Sequence, residues 1–272
     1  MVNRIIQRIY LFLIFLFLYA PIAILIIFSF NNSKSRAKWN GFTLRWYREM
    51  LQDPQIKSAL YYTLLIAILA ALIATIIGTF AAIGIHHMKR WKRNLIMNLT
   101  YLPVLNPDIV TGISLMILFI FISSRLSILS PGFTTMLLAH ITFNIPYVIL
   151  SVLPKLKQLD KNLYEAALDL GATPWYAFFQ VVFPQIAPGI ITGALLAFTL
   201  SLDDFVISFF TTGTGVSNLS ILIYSMARRG VNPKINALST LLFITVLSLL
   251  LLINFRSSKD RVKKISVRKE HA

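Results

Sequence analysis

The sequence contains no cysteine and very few acidic residues. None of its 272 residues is Cys and only 10 are Asp or Glu, against 26 Lys or Arg. The absence of cysteine excludes disulfide bonds and thiol chemistry within the chain. The loop Gly-x-x-x-x-Gly-Lys-Ser/Thr, which holds nucleotide phosphates in P-loop proteins, is also absent. The chain therefore does not bind ATP through such a loop, and any ATP hydrolysis must come from another polypeptide.

Charged residues are scarce and long apolar runs are common. Only 13% of the residues are charged, 57% are apolar, and the mean hydropathy is +0.72. A soluble domain does not have this composition, and several runs approach the ~20 residues that cross a bilayer as a helix. We predict an all-α polytopic membrane protein with six transmembrane helices in a single domain, 1–272. The predicted spans are Ile9–Phe30, Leu60–Ile85, Leu99–Ile122, Gly132–Val152, Ile186–Phe210 and Ile235–Phe255.

The first apolar run follows two arginines, as a signal peptide would. Its apolar region of 22 residues, 9–30, is longer than the usual ~7–15, and no small-x-small cleavage site follows it. We therefore interpret the run as an uncleaved membrane anchor.

The positive charge predicts the orientation of the chain. The net charge is +16, and 16 of the 26 Lys and Arg fall at the two termini and in the loops from His86 and from Leu153. The bias of Lys and Arg towards the cytoplasm places both termini there, although six basic residues in the loop after the first span dilute it. We interpret the basic tail as a topology anchor against anionic lipid rather than a nucleic-acid-binding arm. Its members are Arg256, Lys259, Arg261, Lys263, Lys264, Arg268 and Lys269.

A punctuated segment, EAALDLGATPWYAFFQVVFPQIAPG, lies in the predicted cytoplasmic loop 153–185. Asn162, three residues before Glu165, is predicted to begin a helix with a capping box. Gly171 is placed to end that helix in the left-handed conformation. Thr173 and Pro174 are then typical of the N-cap and first residue of a second helix. The segment therefore predicts a helix, a sharp turn and another helix.

The first of these helices carries an apolar stripe at helical spacing, formed by Leu163, Ala166, Ala167 and Leu170. The stripe either packs on the protein's own spans or seats in a groove of a soluble partner. Its periodicity favours neither alternative.

Acidic residues within predicted spans are the main candidates for a substrate path. Asp108, Asp203 and Asp204 fall in the third and fifth spans, and charged side chains at membrane depth are costly and usually functional. The alternative is an N-cap or a buried hydrogen-bonded carboxyl group. No Lys or Arg lies within a confidently predicted span, so the adjacent pair would repel and favour a cationic ligand.

Helical spacing separates the two adjacent acids. At helical spacing, Asp204 shares a small, polar face with Ser201 and Ser208, whereas Asp203 lies on a more apolar face. We therefore predict that Asp204 lines the path, with Ser201 one turn away. Trp46 is a candidate for cation–π contact with the substrate, the alternative being a tryptophan of the membrane interface.

The punctuated segment resembles the signature EAA-x3-G-x9-I-x-L-P of bacterial ABC-importer membrane subunits. Glu165, Ala166, Ala167, Gly171 and Pro184 match it, while Val and Phe replace its Ile and Leu. The resemblance implies that the loop is a coupling helix docked in a cleft of the ATPase subunit.

Four further stretches resemble the C-type permease of spermidine/putrescine importers. They are FTLRWYREML, LNPDIVTGISLM, TLSLDDFVISFFTTG and IYSMARRGVNPKINALSTLL. The resemblance implies the cytoplasmic membrane of a bacterium, a second permease, a dimer of ATPase subunits and an extracytoplasmic polyamine-binding protein. It adds weight to a substrate path formed by Trp46, Asp108, Ser201, Asp203 and Asp204. The basic stretch RRGVNPK has no explanation in a loop that would face a cation.

Three other functions compete with a polyamine importer subunit. An importer of another solute, such as iron, thiamine or an anion, would share the coupling signature, but an anion path needs basic groups or helix N-termini within the spans. A passive cation channel needs no docking element, and an intramembrane enzyme needs a nucleophile or metal ligands. His86, His87, His140 and His271 form no metal-ligand pattern, so neither a metal nor a cofactor is expected. The sequence leaves the choice between spermidine and putrescine open.

Overall fold

The computed structural model describes residues 2–33, 38–126, 130–213, 215–229 and 233–248. The chain divides into two compact units, one formed by Met1–Lys57 with Ile223–Ala272 and the other by Ser58–Leu222. The described residues are helical apart from short connections and one isolated bridge between Asn31 and Phe42.

The helices are numbered α1 to α12 in chain order. They are α1 Val2–Ser29, α2 Arg45–Gln52, α3 Pro54–His87, α4 Arg90–Leu105, α5 Asp108–Leu126, α6 Phe133–Gln158, α7 Lys161–Asp169, α8 Pro174–Ala177, α9 Phe183–Asp203, α10 Val206–Thr211, α11 Leu219–Arg229 and α12 Pro233–Ser248. A short π-helix, Phe178–Val182, joins α8 to α9.

Within the described part of the chain, five stretches of helix are long and apolar enough to cross a membrane. They are Arg4–Ser29, Pro54–His87, Asp108–Arg125, Phe133–Gln158 and Pro174–Asp203. The sixth predicted span, Ile235–Phe255, is described as the shorter apolar helix α12, and residues 249–255 lie outside the described part of the chain. The prediction of an all-helical polytopic membrane protein is confirmed. The residues of the basic tail also lie outside the described part.

Two predicted spans are broken in the structure. The third, Leu99–Ile122, is interrupted at Asn106, whose ψ of 142° is extended. The following Pro107 explains this, because a proline disfavours helical geometry at the residue before it. The fifth, Ile186–Phe210, ends at Asp203, and Asp204 has an extended ψ of 126°. The crossing helices therefore begin or end beside the acidic residues.

Helices α6 and α9 approach closely because α9 presents small residues at every fourth position. Gly189, Gly193, Ala197 and Ser201 are all buried. A Cβ atom at Gly193 would lie 3.2 Å from the Cα of Val148 in α6. This small-residue stripe allows the two backbones to pack tightly, as in other membrane helix pairs. The closely packed α6–α9 pair positions the end of α9, where Asp203 lies and Asp204 follows.

Candidate functional site

The three predicted carboxyl groups of the unit Ser58–Leu222 lie at helix ends. Asp108 is the first residue of α5, Asp203 is the last residue of α9, and Asp204 follows directly. Asp108 and Asp203 are exposed, whereas the side chain of Asp204 is only 8% exposed. Among the described residues, no Lys or Arg forms an ion pair with any of the three.

Contact between α5 and α10 brings Asp108 towards Asp203 and Asp204. A Cβ atom at Gly112 of α5 would lie 3.5 Å from the carbonyl oxygen of Val206, the first residue of α10. Asp108 lies four residues before Gly112, and residues at this spacing share a helix face. The beginning of α5 therefore lies beside the beginning of α10, which Asp204 adjoins.

The carboxylate of Asp204 caps α10. Its Oδ1 accepts a hydrogen bond from the backbone N–H of Ile207 at 3.2 Å, and its Oδ2 accepts one from the N–H of Ser208 at 2.7 Å. A helix N-terminus leaves such N–H groups without partners, and a carboxylate satisfies them well. The interpretation of a continuous fifth helix is therefore wrong, and Asp204 does not share a helix face with Ser201 and Ser208.

A buried polar network surrounds this cap. The hydroxyl of Ser208 lies 2.9 Å from Nε2 of His140 in α6 and accepts a hydrogen bond from Nδ2 of Asn218 at 2.8 Å. Nδ2 of Asn218 also donates to the carbonyl of Asp204 at 3.0 Å. His140 Nε2 lies 3.7 Å from Oδ2 of Asp204. The network ties α10 to α6 and to the start of α11.

Ser201, the other small polar residue predicted on the path, is buried in the same region. Its hydroxyl accepts a hydrogen bond from Nδ2 of Asn144 at 2.7 Å. Asn144 lies on α6 one turn after His140, so these two side chains reach α9 and α10 from one face of α6.

The other unit, Met1–Lys57 with Ile223–Ala272, contains Trp46. Its ring is 3% exposed and its Nε1 donates a hydrogen bond to the carbonyl of Asn31 at 2.7 Å. The guanidinium of Arg45 lies 5.3 Å from the ring centroid. Burial and a satisfied N–H explain this tryptophan as a packing residue, and its contact with substrate stays a prediction.

The ion pairs of Lys234 explain part of the positive charge in the stretch RRGVNPK. The Lys234 ammonium lies 3.4 Å from Asp53 and 3.7 Å from Glu49, which in turn pairs with Arg45 at 2.6 Å. The hydrogen bond from Arg45 lowers the pKa of Glu49 below its usual range, and Lys234 contributes in the same direction. The positive charge of Lys234 is thus neutralised locally.

The punctuated segment folds largely as predicted. Gly171 has φ +85°, and its N–H bonds to the carbonyl of Leu168 while the N–H of Ala172 bonds to that of Ala167. These two bonds form the Schellman motif that ends a helix. Thr173 caps α8, with Pro174 as its first residue. The helix start differs, because Asp160 caps α7 by accepting from the N–H of Asn162 at 3.0 Å.

The apolar residues of this segment are largely uncovered. Leu170 is 89% exposed and Trp175 is 74% exposed, and Glu165 and Ala166 are also exposed. The protein's own spans therefore do not cover the far end of the apolar stripe. Large exposed apolar side chains of this kind are typical of a protein interaction site.

Sequence reasoning missed His140, Asn144 and Asn218. The search for metal ligands set His140 aside. The described residues contain no group of three or more His, Cys, Asp or Glu that could hold a metal. The available signal was a polar residue within an apolar span, since His140 and Asn144 lie four residues apart in the fourth span. Applied to neutral polar residues as well as to acids, the same criterion would have found both.

The chain was compared with protein families and curated proteins. Residues 74–264 match the family described as "Binding-protein-dependent transport system inner membrane component". The chain is 44% identical to the Putrescine transport system permease protein PotI of Escherichia coli strain K12 over 78% of this chain and 76% of that protein. It is 36% identical to the Spermidine/putrescine transport system permease protein PotC of the same strain, over 93% of each chain.

Solved structures share the fold. A bacterial ABC transporter involved in the import of the acidic polysaccharide alginate superposes with a TM-score of 0.70 at 18% identity, covering 95% of this chain and 94% of that one. An amino acid ABC transporter gives a TM-score of 0.56 at 20% identity, covering 79% and 98%.

The helical fold and the family match together define the class of protein. The chain belongs to the inner-membrane components of binding-protein-dependent transport systems, which confirms the predicted resemblance. It is a non-catalytic, multi-pass permease component of an ABC transporter in a bacterial inner membrane. Such a component works in a complex with an ATPase and a periplasmic binding protein.

Proposed function

We propose that this chain is the membrane-spanning subunit of an ATP-driven importer that carries polyamines, spermidine or putrescine, into the cell. The names of PotI and PotC support this substrate class, and the likeness to PotC extends over nearly the whole chain. The observation that carries the proposal is the set of acidic residues at the helix ends, Asp108, Asp203 and Asp204.

These carboxyl groups favour a cation. Asp203 ends the 21-residue helix α9, where the helix dipole is negative and disfavours a carboxylate. Asp204 follows immediately, and two carboxylates this close repel each other, which a cation between them relieves. A polyamine carries two or more ammonium groups separated by methylenes, so it can pair with carboxylates at several points along its path. We infer that Asp203, which is exposed, contacts substrate directly, with Asp108, Asp204 and Ser201 contributing to the path.

The exposed segment around α7 and α8 is proposed to couple the permease to the ATPase. Glu165, Ala166 and Ala167 lie on α7, and the left-handed Gly171 fixes the turn into α8. The small alanine side chains let a partner groove approach the helix closely, and Leu170 offers it apolar surface.

The complete assembly is proposed to contain a second permease of similar fold, two ATPase subunits and a polyamine-binding protein outside the membrane. Residues 1–272 act in it as one permease domain with both termini in the cytoplasm. The distribution of Lys and Arg supports this orientation. A reporter fused after Ala272 should be active in the cytosol, and one inserted near Gly215 should be active outside. The reverse pattern would overturn the orientation.

Uptake measurements test the substrate. The chain is expressed with its ATPase, second permease and binding protein in cells that lack polyamine uptake, and radiolabelled putrescine and spermidine are supplied. We expect uptake of at least one polyamine, competed by the unlabelled compound but not by amino acids, thiamine or iron. Uptake of another solute without polyamine uptake would contradict the proposal and leave the transporter class intact.

A further inference from the structure

The break in the fifth span is held by side chains from another span. Helix α10 has six residues, Val206–Thr211, and isolated helices this short are not stable by themselves. Besides the Asp204 cap, α10 is bound by α6 at two points. His140 Nε2 contacts the hydroxyl of Ser208 at 2.9 Å, and the hydroxyl of Thr135 donates to the carbonyl of Thr211 at 2.8 Å.

A third contact from α6 lies on the other side of the break. Asn144 Nδ2 donates to the hydroxyl of Ser201, two residues before Asp203. His140 and Asn144 therefore hold residues on both sides of the Asp203–Asp204 pair, from positions one turn apart on α6. All the side chains in these contacts are at most 2% exposed.

The two polar side chains from α6 each bury one atom that makes no hydrogen bond within the described part of the chain, and this lowers the stability of the fold. His140 Nδ1 and Asn144 Oδ1 are buried without a hydrogen-bond partner among the described residues. Buried polar atoms without partners destabilise a fold, and apolar side chains at the two positions would avoid that cost. The bonds to Ser208 and Ser201 therefore explain why polar residues stand at positions 140 and 144.

We propose that His140 and Asn144 form a clasp that fixes the break in the fifth span and thereby positions the carboxyl groups of Asp203 and Asp204 for the substrate. The two residues are positioning residues, because they act through Ser208 and Ser201. The role of the clasp in substrate binding rests on the proposed polyamine transport. Its role in holding the helix break through hydrogen bonds does not depend on which substrate is carried.

Transport kinetics test the positioning role. His140→Phe keeps an aromatic ring and removes the contact with Ser208. At matched protein amounts and ATPase assembly, we expect the KM for polyamine uptake to rise about tenfold, equivalent to about 1.4 kcal/mol, with the maximal rate within about twofold of the wild type. His140→Gln, whose amide can reach Ser208, should restore most of the affinity. Thr142→Val on the exposed side of α6 is the control and should leave KM unchanged.

A double-mutant cycle tests whether His140 acts through Ser208. Combining His140→Phe with Ser208→Ala should raise KM by less than the two single effects together, because both variants remove the His140–Ser208 contact, while Ser208→Ala also removes the bond from Asn218. Fully additive effects would overturn the clasp, as would an unchanged KM in His140→Phe.

Thiol labelling tests the clasp without any substrate. The chain has no cysteine, so Thr211→Cys introduces one buried thiol in α10. A small membrane-impermeant thiol reagent should label it faster in the His140→Phe background than in the wild-type or Thr142→Val background. Equal labelling rates would overturn the clasp, whereas wild-type protein that fails to take up polyamines would overturn the proposed function instead.

Discussion

Two regions of this permease component carry its proposed functions, and they are built in opposite ways. The coupling segment is exposed, and the hydrogen bonds that shape it join residues at most five positions apart, such as Ala172 to Ala167. The break beside Asp203 and Asp204 is held by buried bonds between distant residues. Thr135 and Thr211 are 76 positions apart, His140 and Ser208 are 68, and Asn144 and Ser201 are 57.

The contrast follows from what each region must do. A docking surface has to present side chains at a defined angle to another protein, and local caps and turns are sufficient for that. The carboxyl pair at the helix break has to be held against the repulsion of its own charges. Here the side chains of a neighbouring helix supply the restraint. Variants should therefore affect the two regions differently.

The largest effect is expected in the coupling segment. Gly171→Pro cannot adopt φ +85° and removes the N–H that bonds to Leu168, so the angle between α7 and α8 is lost. Glu165→Lys reverses the charge on the proposed docking face. We expect each variant to reach the membrane, to lose most ATPase association in co-purification and to abolish uptake.

Gly84→Ala is the matched control. Gly84 lies within α3, and a Cβ atom there would meet no atom within 4 Å, so uptake should be normal. Full transport by Gly171→Pro and Glu165→Lys would show that the segment does not couple the subunits.

The second largest effect is expected at the helix break. Asp203→Asn removes the exposed charge, and we expect the KM for polyamine uptake to rise tenfold or more, equivalent to at least about 1.4 kcal/mol. Asp204→Asn also removes a charge, but its amide oxygen can keep one of the two capping hydrogen bonds, so α10 should persist and KM should rise less. Radiolabelled uptake at matched assembly measures both.

A larger rise in KM for Asp204→Asn than for Asp203→Asn would mean that the Asp204 carboxylate leaves its capping position to bind substrate. Normal transport by both variants would show that these acids are structural, leaving the polyamine assignment to rest on its relatives alone.

The same contrast explains how far the sequence could predict this structure. The turn at Gly171 and the cap at Thr173 were predictable, because caps depend on residues within a few positions. The break of the fifth span at Asp204 was not, because the prediction from helical spacing assumed a continuous helix. That helix is broken by a cap at Asp204, and the network around it includes His140 and Asn218, which only the tertiary fold brings close. Pro107 did give a local signal for the other break.

A smaller effect is expected from the cap of the coupling helix. Asp160→Ala removes the acceptor for the N–H of Asn162 and should weaken α7 by about 0.5–2 kcal/mol. We expect uptake to fall about two- to fivefold, with ATPase association reduced but present. Asp160→Asn keeps a capping oxygen and should transport almost normally. Equal losses in the two variants would assign the effect to charge rather than to the cap.

The smallest effect is expected outside both regions, at Glu49. This residue pairs with Arg45 and Lys234, but exposed ion pairs contribute little and are screened by salt, so Glu49→Gln should leave uptake within about twofold. Because Arg45 lowers the pKa of Glu49, the stabilisation is present above the unfolded-state pKa and is lost as the pH falls through the folded-state pKa. The thermal midpoints of wild type and Glu49→Gln should therefore differ slightly at pH 7 and converge as the pH falls below the folded-state pKa of Glu49. Arg48→Gln on the same helix is the control, and a gap between wild type and Glu49→Gln that persists at low pH would show that Glu49 acts through packing instead.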